Sequence, residues 1–280
     1  MSDMHEKLAA LTARFRRLPA VAVAFSGGVD STFLLKVAHD ALGARTVAVT
    51  GRSLSFPERE LNAAKKFCAD AQIRHLLVDA EELAVEGFAD NPPERCYLCK
   101  KELFGQIQKV AAANGIAAIA EASNLDDESD YRPGHRAIAE AGVLSPLREA
   151  RLTKAEIREL SRELGLPTWD KPSFACLASR FPFGEKISAE KLRQLDRAEQ
   201  FLLDLGFRTV RVRLHENGKL ARIELDAGDI ARCAAAAMRQ KIGDEFSRLG
   251  FTYIALDLRG YRTGSMNATL PNNSQLTIHN

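Results

Sequence analysis

The chain has 280 residues, 46% of them hydrophobic and 27% charged, with a formal net charge of +2. That supplies enough apolar material for a real core and, at roughly 100–200 residues per domain, enough length for two domains. The near-balance of charge excludes the dense basic footprint of a dedicated nucleic-acid binder, and no apolar run approaches the ~20 residues that cross a bilayer.

The opening stretch, "MSDMHEKLAALTARF", is charged and amphipathic and lacks the apolar core of a secretion signal, so a cytoplasmic protein is expected. "AVAVAF" (20–25) reads as a buried strand that stops at "SGGVDS" (26–31) and passes at once into the helical period of "STFLLKVAHDAL" (31–42). The alternation continues through the strand "RTVAVT" (45–50), the helix "ERELNAAKKFCADA" (58–71) and the strands "IRHLLV" (73–78) and "IAAIAEA" (116–122). Continuously apolar strands with helical crossovers predict an α/β fold, a parallel sheet with helices on both faces whose ligand lies beyond the carboxyl ends of the strands. Near Pro167, Pro172 and Pro182 the periodicity breaks, which predicts a first domain over 1–170 and a hinge with a cysteine-bearing loop over 171–187. A helix (188–205), the strands "TVRVRL" and "LARIEL", an alanine-rich helix near 228–240 and the strand "TYIALDL" then predict a small α+β domain over 188–263. The polar residues 264–280 read as a loose tail.

A strand entering S-G-G-V-D-S with a helix directly behind it sets consecutive peptide N–H groups and a helix N-terminus around one concavity, which suits an anion. Gly27 and Gly28 permit close backbone approach, Ser26 and Ser31 offer hydroxyls, and Asp30 can hold a magnesium ion directly or through water. The bland alternative is a tight turn with Asp30 or Ser31 as the helix cap. A dinucleotide fingerprint is absent, and so is a Walker loop, since no lysine follows the glycines.

Other residues carry chemistry by position. Asn124, Asp127 and Asp130 follow the fourth strand at the predicted ligand-binding edge, although Asn and Asp also form ordinary turns there. Arg211 and Arg213, two apart on a strand, share a face that could grip phosphate or carboxylate, or else line a solvated edge strand. Cys96 and Cys99 form a C-x-x-C at the start of a helix, open to reading as a redox couple, two metal ligands or a chance pair. Cys68 and Cys233 fall inside predicted helices and read as core thiols.

"SGGVDS" resembles the PP-loop of the ATP pyrophosphatases, which bind the pyrophosphate of ATP and transfer AMP to an acceptor oxygen. The stretches 91–104, 121–134, 145–187 and 211–226, from "NPPERCYLCKKELF" to "RVRLHENGKLARIELD", resemble the LarE sulfur transferases in order and spacing over most of the chain. The resemblance implies a Rossmann-like PP-loop fold with ATP and Mg2+ as cofactors. It also implies ATP binding by Ser26, Gly27, Gly28, Asp30, Ser31, Asn124 and Asp127. The reaction it implies is adenylation of a carboxylate on a pyridinium dicarboxylate mononucleotide, then exchange of an oxygen for sulfur, toward a nickel-pincer nucleotide. Cys176, in "CLASR", is implied as the catalytic cysteine, with Ser179, Arg180, Arg211 and Arg213 on the substrate. Members of this family either sacrifice the sulfur of the donor cysteine or carry two more cysteines whose three thiolates hold a 4Fe-4S cluster. All three are here, so a cluster on Cys96, Cys99 and Cys176 is expected, with sacrifice of Cys176 left open. The expected partner is a small nucleotide, with no membrane or nucleic acid, and the chain is expected to form a homo-oligomer. A PP-loop tRNA thiolase and a non-catalytic nucleotide or metal sensor are the competing readings.

Overall fold

The computed structural model describes residues 3–129, 133–173 and 175–266. The chain divides into two compact units, Met1–Glu82 with Cys96–Phe174, and Leu83–Arg95 with Ala175–Asn280. Among the described residues no helix is long and apolar enough to cross a membrane.

The first unit begins with helix α1 (Asp3–Arg16), strand β1 (Val21–Ala24), α2 (Val29–Leu42), β2 (Thr46–Arg52), α3 (Glu58–Asp70) and β3 (Arg74–Asp79). It continues through α4 (Arg95–Ala113), β4 (Ala118–Ala120), α5 (Gly134–Glu140), α6 (Pro146–Glu149) and α7 (Lys154–Glu163). The four strands form one sheet in the order β3-β2-β1-β4, and every pairing is parallel. Side chains alternate across it, as period-2 geometry requires. Val21 and Val23 join Leu11 and Phe15 of α1, Phe33 and Leu34 of α2, and Ile157 and Leu160 of α7. Ala22, Val47 and Val49 join Phe104 and Ile107 of α4 on the other face. The sheet is thus covered on both sides, as its continuously apolar strands predict. β1 is central, with its successor on one side and β4 on the other, so the order reverses between β1 and β4. That reversal is where an open α/β sheet leaves a crevice beyond its carboxyl ends.

The second unit holds α8 (Ala189–Asp204), β5 (Val210–His215), β6 (Leu220–Leu225), α9 (Ile230–Ala234), α10 (Ala236–Arg248) and β7 (Tyr253–Leu256). β5 pairs antiparallel with β6, and β7 runs parallel to β6. The Ser188 hydroxyl accepts the Lys191 N–H and starts α8. The segment Leu83–Arg95 packs with this unit although it leads into α4 of the first. Gly184 N–H donates to the Asn91 carbonyl at 3.0 Å, Ile187 N–H to Ala89 at 2.8 Å, and the Asn91 amide to the Pro182 carbonyl at 2.6 Å.

Two details depart from the sequence reading. The alanine-rich helix is two helices, because Ala235 is extended at ψ 142°, with no glycine or proline to announce the break. The start of the polar tail is built in: Met266 is buried, and the Ser265 hydroxyl donates to Glu224 Oε1 at 2.9 Å.

Candidate active site

The turn between β1 and α2 lies at the carboxyl end of β1, beside the reversal of strand order. Gly27 stands at φ +68°, a left-handed conformation that favours glycine, and a Cβ there would lie 3.4 Å from Ala64 Cβ on α3. Gly28 is the N-cap of α2 and offers no side-chain cap, while Asp30 and Ser31 lie inside the first helical turn. The bland reading of either residue as the cap therefore fails. The Ser31 hydroxyl instead braces the turn, accepting the Ser26 N–H at 3.3 Å and sitting 3.0 Å from the Ser26 hydroxyl. The arrangement is an amide-lined turn feeding a helix N-terminus.

Asp30 tests the fit of a magnesium ion. Its Oδ2 accepts from Lys154 Nζ at 2.5 Å, and its Oδ1 is buried without a hydrogen-bond partner. A buried carboxylate oxygen left over in this way is a donor of the hard type that magnesium takes. Sequence reasoning missed Lys154 and also Lys171, whose Nζ donates to the Gly27 carbonyl at 3.0 Å and to Glu60 Oε2 at 2.6 Å. Both lysines lie far downstream of the turn in the chain, and only the fold brings them to it.

After β4, the Asn124 side-chain oxygen accepts from Asp126 N–H at 2.9 Å and Asp127 Oδ2 accepts from Asn124 N–H at 3.0 Å. Both thus shape their own turn, and Asp130 lies outside the described residues.

The five cysteines sort by burial. Cys68 and Cys233 are buried, and burial pushes the Cys68 thiol up to about 12, which removes it as a nucleophile at neutral pH. Cys96 is exposed and Cys99 half-buried, both within the first two turns of α4, where a spacing of three puts them on neighbouring positions of one helical face. Tyr97 braces that turn against α5, donating to Glu140 at 2.7 Å with the Arg136 guanidinium 3.9 Å from its ring centre. Cys176 is half-buried and precedes the short 3-10 turn Leu177–Arg180. Thiols that escape full burial are soft donors of the type an iron–sulfur cluster takes. Among the described residues, however, no three His, Cys, Asp or Glu side chains form a group that could hold a metal ion.

Around Cys176 the second unit builds a buried layer of ion pairs. Arg180, 0% exposed, grips Glu199 of α8 in two parallel bonds, Nε to Oε1 at 2.7 Å and Nη2 to Oε2 at 3.0 Å. Its Nη1 donates to the Ala175 carbonyl at 2.9 Å, the Cys176 carbonyl at 3.3 Å and the Ser179 hydroxyl at 2.9 Å, so it fixes the backbone that carries Cys176. Arg213 donates to Glu224 Oε2 at 2.9 and 2.8 Å and to the Ser179 carbonyl at 3.3 Å. Arg211 lies over the Tyr261 ring, 4.9 Å from its centre. Burial lowers the Arg211 pKa and the charge of Arg180 adds to this, with Glu199 opposing. Burial pushes Glu199 the other way, yet the charge and hydrogen bonds of Arg180, with Arg211 and the Val212 N–H, hold its carboxyl below the usual range. β5 is an edge strand of its sheet, but neither Arg211 nor Arg213 is solvated, so the reading of the two as an exposed edge fails. Glu199 was missed, although its signal is visible: a carboxylate within the apolar stripe Leu192, Leu195, Ala198 and Leu202 of α8.

No family model matches the chain. It is 43% identical to an uncharacterised protein of Synechocystis over 95% of its own length and 99% of that protein. Argininosuccinate synthase of Pyrococcus furiosus is 29% identical over 54% of this chain and 40% of its own. Pyridinium-3,5-bisthiocarboxylic acid mononucleotide synthase of Lactiplantibacillus plantarum is 38% identical over 96% of this chain and 97% of its own. A likeness that runs through both units at that identity means that the chain belongs to the LarE sulfur transferase family of PP-loop, ATP-using enzymes.

Proposed function

We propose that this enzyme adenylates a carboxylate of a pyridinium dicarboxylate mononucleotide and converts it to a thiocarboxylate, a step of nickel-pincer nucleotide synthesis. The observation that carries the ATP half is the turn 26–28, which opens α2 at the carboxyl end of β1 with no side-chain cap. The substrate half follows the activity named for the Lactiplantibacillus relative. A substrate carboxylate oxygen attacks the α-phosphorus of ATP, the bond to the β-phosphate oxygen breaks, and pyrophosphate leaves. Peptide N–H groups of the turn receive the pyrophosphate, and Asp30 would hold a magnesium ion, directly or through water, that offsets its charge. A sulfur nucleophile then attacks the acyl carbon, and AMP departs with the former carboxylate oxygen. Arg211 and Arg213 supply positive charge for the anionic substrate, and Arg180 and Ser179 hold the backbone of Cys176 in place.

For the sulfur, the reading is a 4Fe-4S cluster on the thiolates of Cys96, Cys99 and Cys176, supported by three cysteines that escape the full burial of Cys68 and Cys233. When bound, such a cluster would carry the extra sulfide. The competing reading takes the sulfur from Cys176 itself and leaves dehydroalanine. The function is tested by pyrophosphate release, which should require ATP and the pyridinium dicarboxylate mononucleotide together. Release with ATP and total tRNA but not with the mononucleotide would overturn it. Anaerobic iron and acid-labile sulfide content, and the mass of the protein after turnover, decide the sulfur source. Loss of iron in Cys96→Ala, Cys99→Ala and Cys176→Ala alike is expected, whereas loss of hydrogen sulfide mass at Cys176 in iron-free protein would overturn the cluster.

A further inference from the structure

The S-G-G-V-D-S turn has no lysine of its own, yet two reach it from the far end of the first unit. Lys154 pairs with the Asp30 carboxylate, and Lys171 donates to a backbone oxygen, the Gly27 carbonyl. That second contact fixes more than one atom. In a trans peptide the C=O and the following N–H point in opposite directions within one plane. Holding the Gly27 oxygen therefore fixes where the Gly28 N–H is aimed. With a glycine on each side of that peptide, a flip to the reverse orientation meets little steric resistance. Something outside the turn has to select one orientation.

Lys171 is itself held at both ends. Its ammonium is drawn to Glu60 on α3 at 2.6 Å, and its backbone carbonyl accepts from Arg158 Nη2 at 2.8 Å on α7. Arg158 Nη1 also takes the Trp169 carbonyl at 2.6 Å, so the whole turn after α7 is tied down. The Glu60 side chain is only 10% exposed and the Lys171 side chain 23%, so the carboxylate is largely and the ammonium partly shielded from bulk water. The ammonium also offsets the partial negative charge that the Gly27 carbonyl would present beside a polyanion.

We propose that Lys171 is the positioning residue of the anion-binding turn, locking the Gly27–Gly28 peptide so that the Gly28 N–H faces the pyrophosphate group of ATP. The inference rests on the reading of the turn as the pyrophosphate site. Its test is calorimetric titration of the full chain with magnesium pyrophosphate, MgATP and AMP, in the parent and in Lys171→Met. Because Lys171→Met strands the Glu60 carboxylate, the double variant Lys171→Met with Glu60→Gln is measured beside it. Both variants should bind pyrophosphate and MgATP about tenfold or more weakly, the scale of one lost hydrogen bond to a charged group, with AMP binding within about twofold of the parent. The KM for ATP should rise with kcat near the parent value, and Lys171→Arg should recover part of the loss. A lysine that served only the fold would lower the melting temperature and the active fraction and leave these dissociation constants alone. Parent-like pyrophosphate binding in the double variant, or an equal loss for AMP, would overturn the role of Lys171. A parent that binds no pyrophosphate would overturn the reading of the turn itself.

Discussion

Around residues 26–28 the first unit presents peptide N–H groups, whereas beside Cys176 the second unit presents guanidinium groups sunk in an ion-pair layer. Peptide groups are neutral and carry no net charge to be matched, and the carboxylate of the turn, Asp30, is paired with Lys154 through Oδ2 while its Oδ1 stays buried without a partner. Buried arginines have no such freedom. Arg180 is matched to Glu199 and Arg213 to Glu224, with half-buried Arg222 beside Glu224 and Asp257. The lesson is about failure: damage to a site built from backbone shows first in binding, and damage to one built from buried charge shows first in folding.

The contrast should be strongest at Arg180. Arg180→Met leaves Glu199 fully buried without its two-pronged ion-pair partner, which should cost about 3–5 kcal/mol of stability in urea unfolding, and Glu199→Gln in the same chain should restore part of it. Loss of activity without loss of stability would erase the distinction between the two regions. Next comes Gly28→Val. A Cβ at this position meets only the Ser26 hydroxyl, at 3.5 Å, so the fold should persist. Pyrophosphate release should nevertheless fall by about 100-fold or more, the scale of removing preorganised anion donors. Normal release would show that the peptide groups are not the site. Arg211→Ala sharpens the comparison from the other side. Weaker substrate binding by about 1.5–3 kcal/mol is expected, and Arg213→Ala should add a drop in melting temperature because it also removes the doubly bonded arginine of buried Glu224, with Arg222 and the Ser265 hydroxyl remaining on its other oxygen. Equal melting temperatures for the two variants would contradict the pairing of Arg213 with Glu224. The smallest effect is on acid stability. Glu199 titrates below the usual range in the folded protein, so its contribution is complete above about pH 4.3 and is lost as the pH falls further. Glu199→Gln should flatten that part of the melting curve against pH, and parallel curves for variant and parent would refute the assignment.

The parallel sheet was legible because its strands are continuously apolar and its helices keep a 3.6 period, and the S-G-G-V-D-S turn was legible because the left-handed backbone at Gly27 favours glycine. Arg211 and Arg213 were placed on one face correctly, since alternation along a strand is local. What covers them is not local. Glu199 and Glu224 come from other elements, and no spacing rule links Arg180 to a carboxylate on the next helix. Lys154 and Lys171 escaped for the same reason. The break at Ala235 had no signal at all, because alanine is the best helix former and nothing nearby forbids continuation.

The segment Leu83–Arg95 has a consequence for synthesis on the ribosome. Its Ala89 and Asn91 bond to Pro182, Gly184 and Ile187, which are made roughly 90 residues later, and the buried Phe88 of the same segment belongs with that second unit. At about 5–20 residues per second that is a wait of about 5–20 s, during which the parallel sheet can close around a stretch whose own partners are still untranslated. A pause introduced between codons 96 and 174 lengthens the exposure of Phe88 and should raise the share of nascent chains captured by chaperones, while one placed after codon 187 should not.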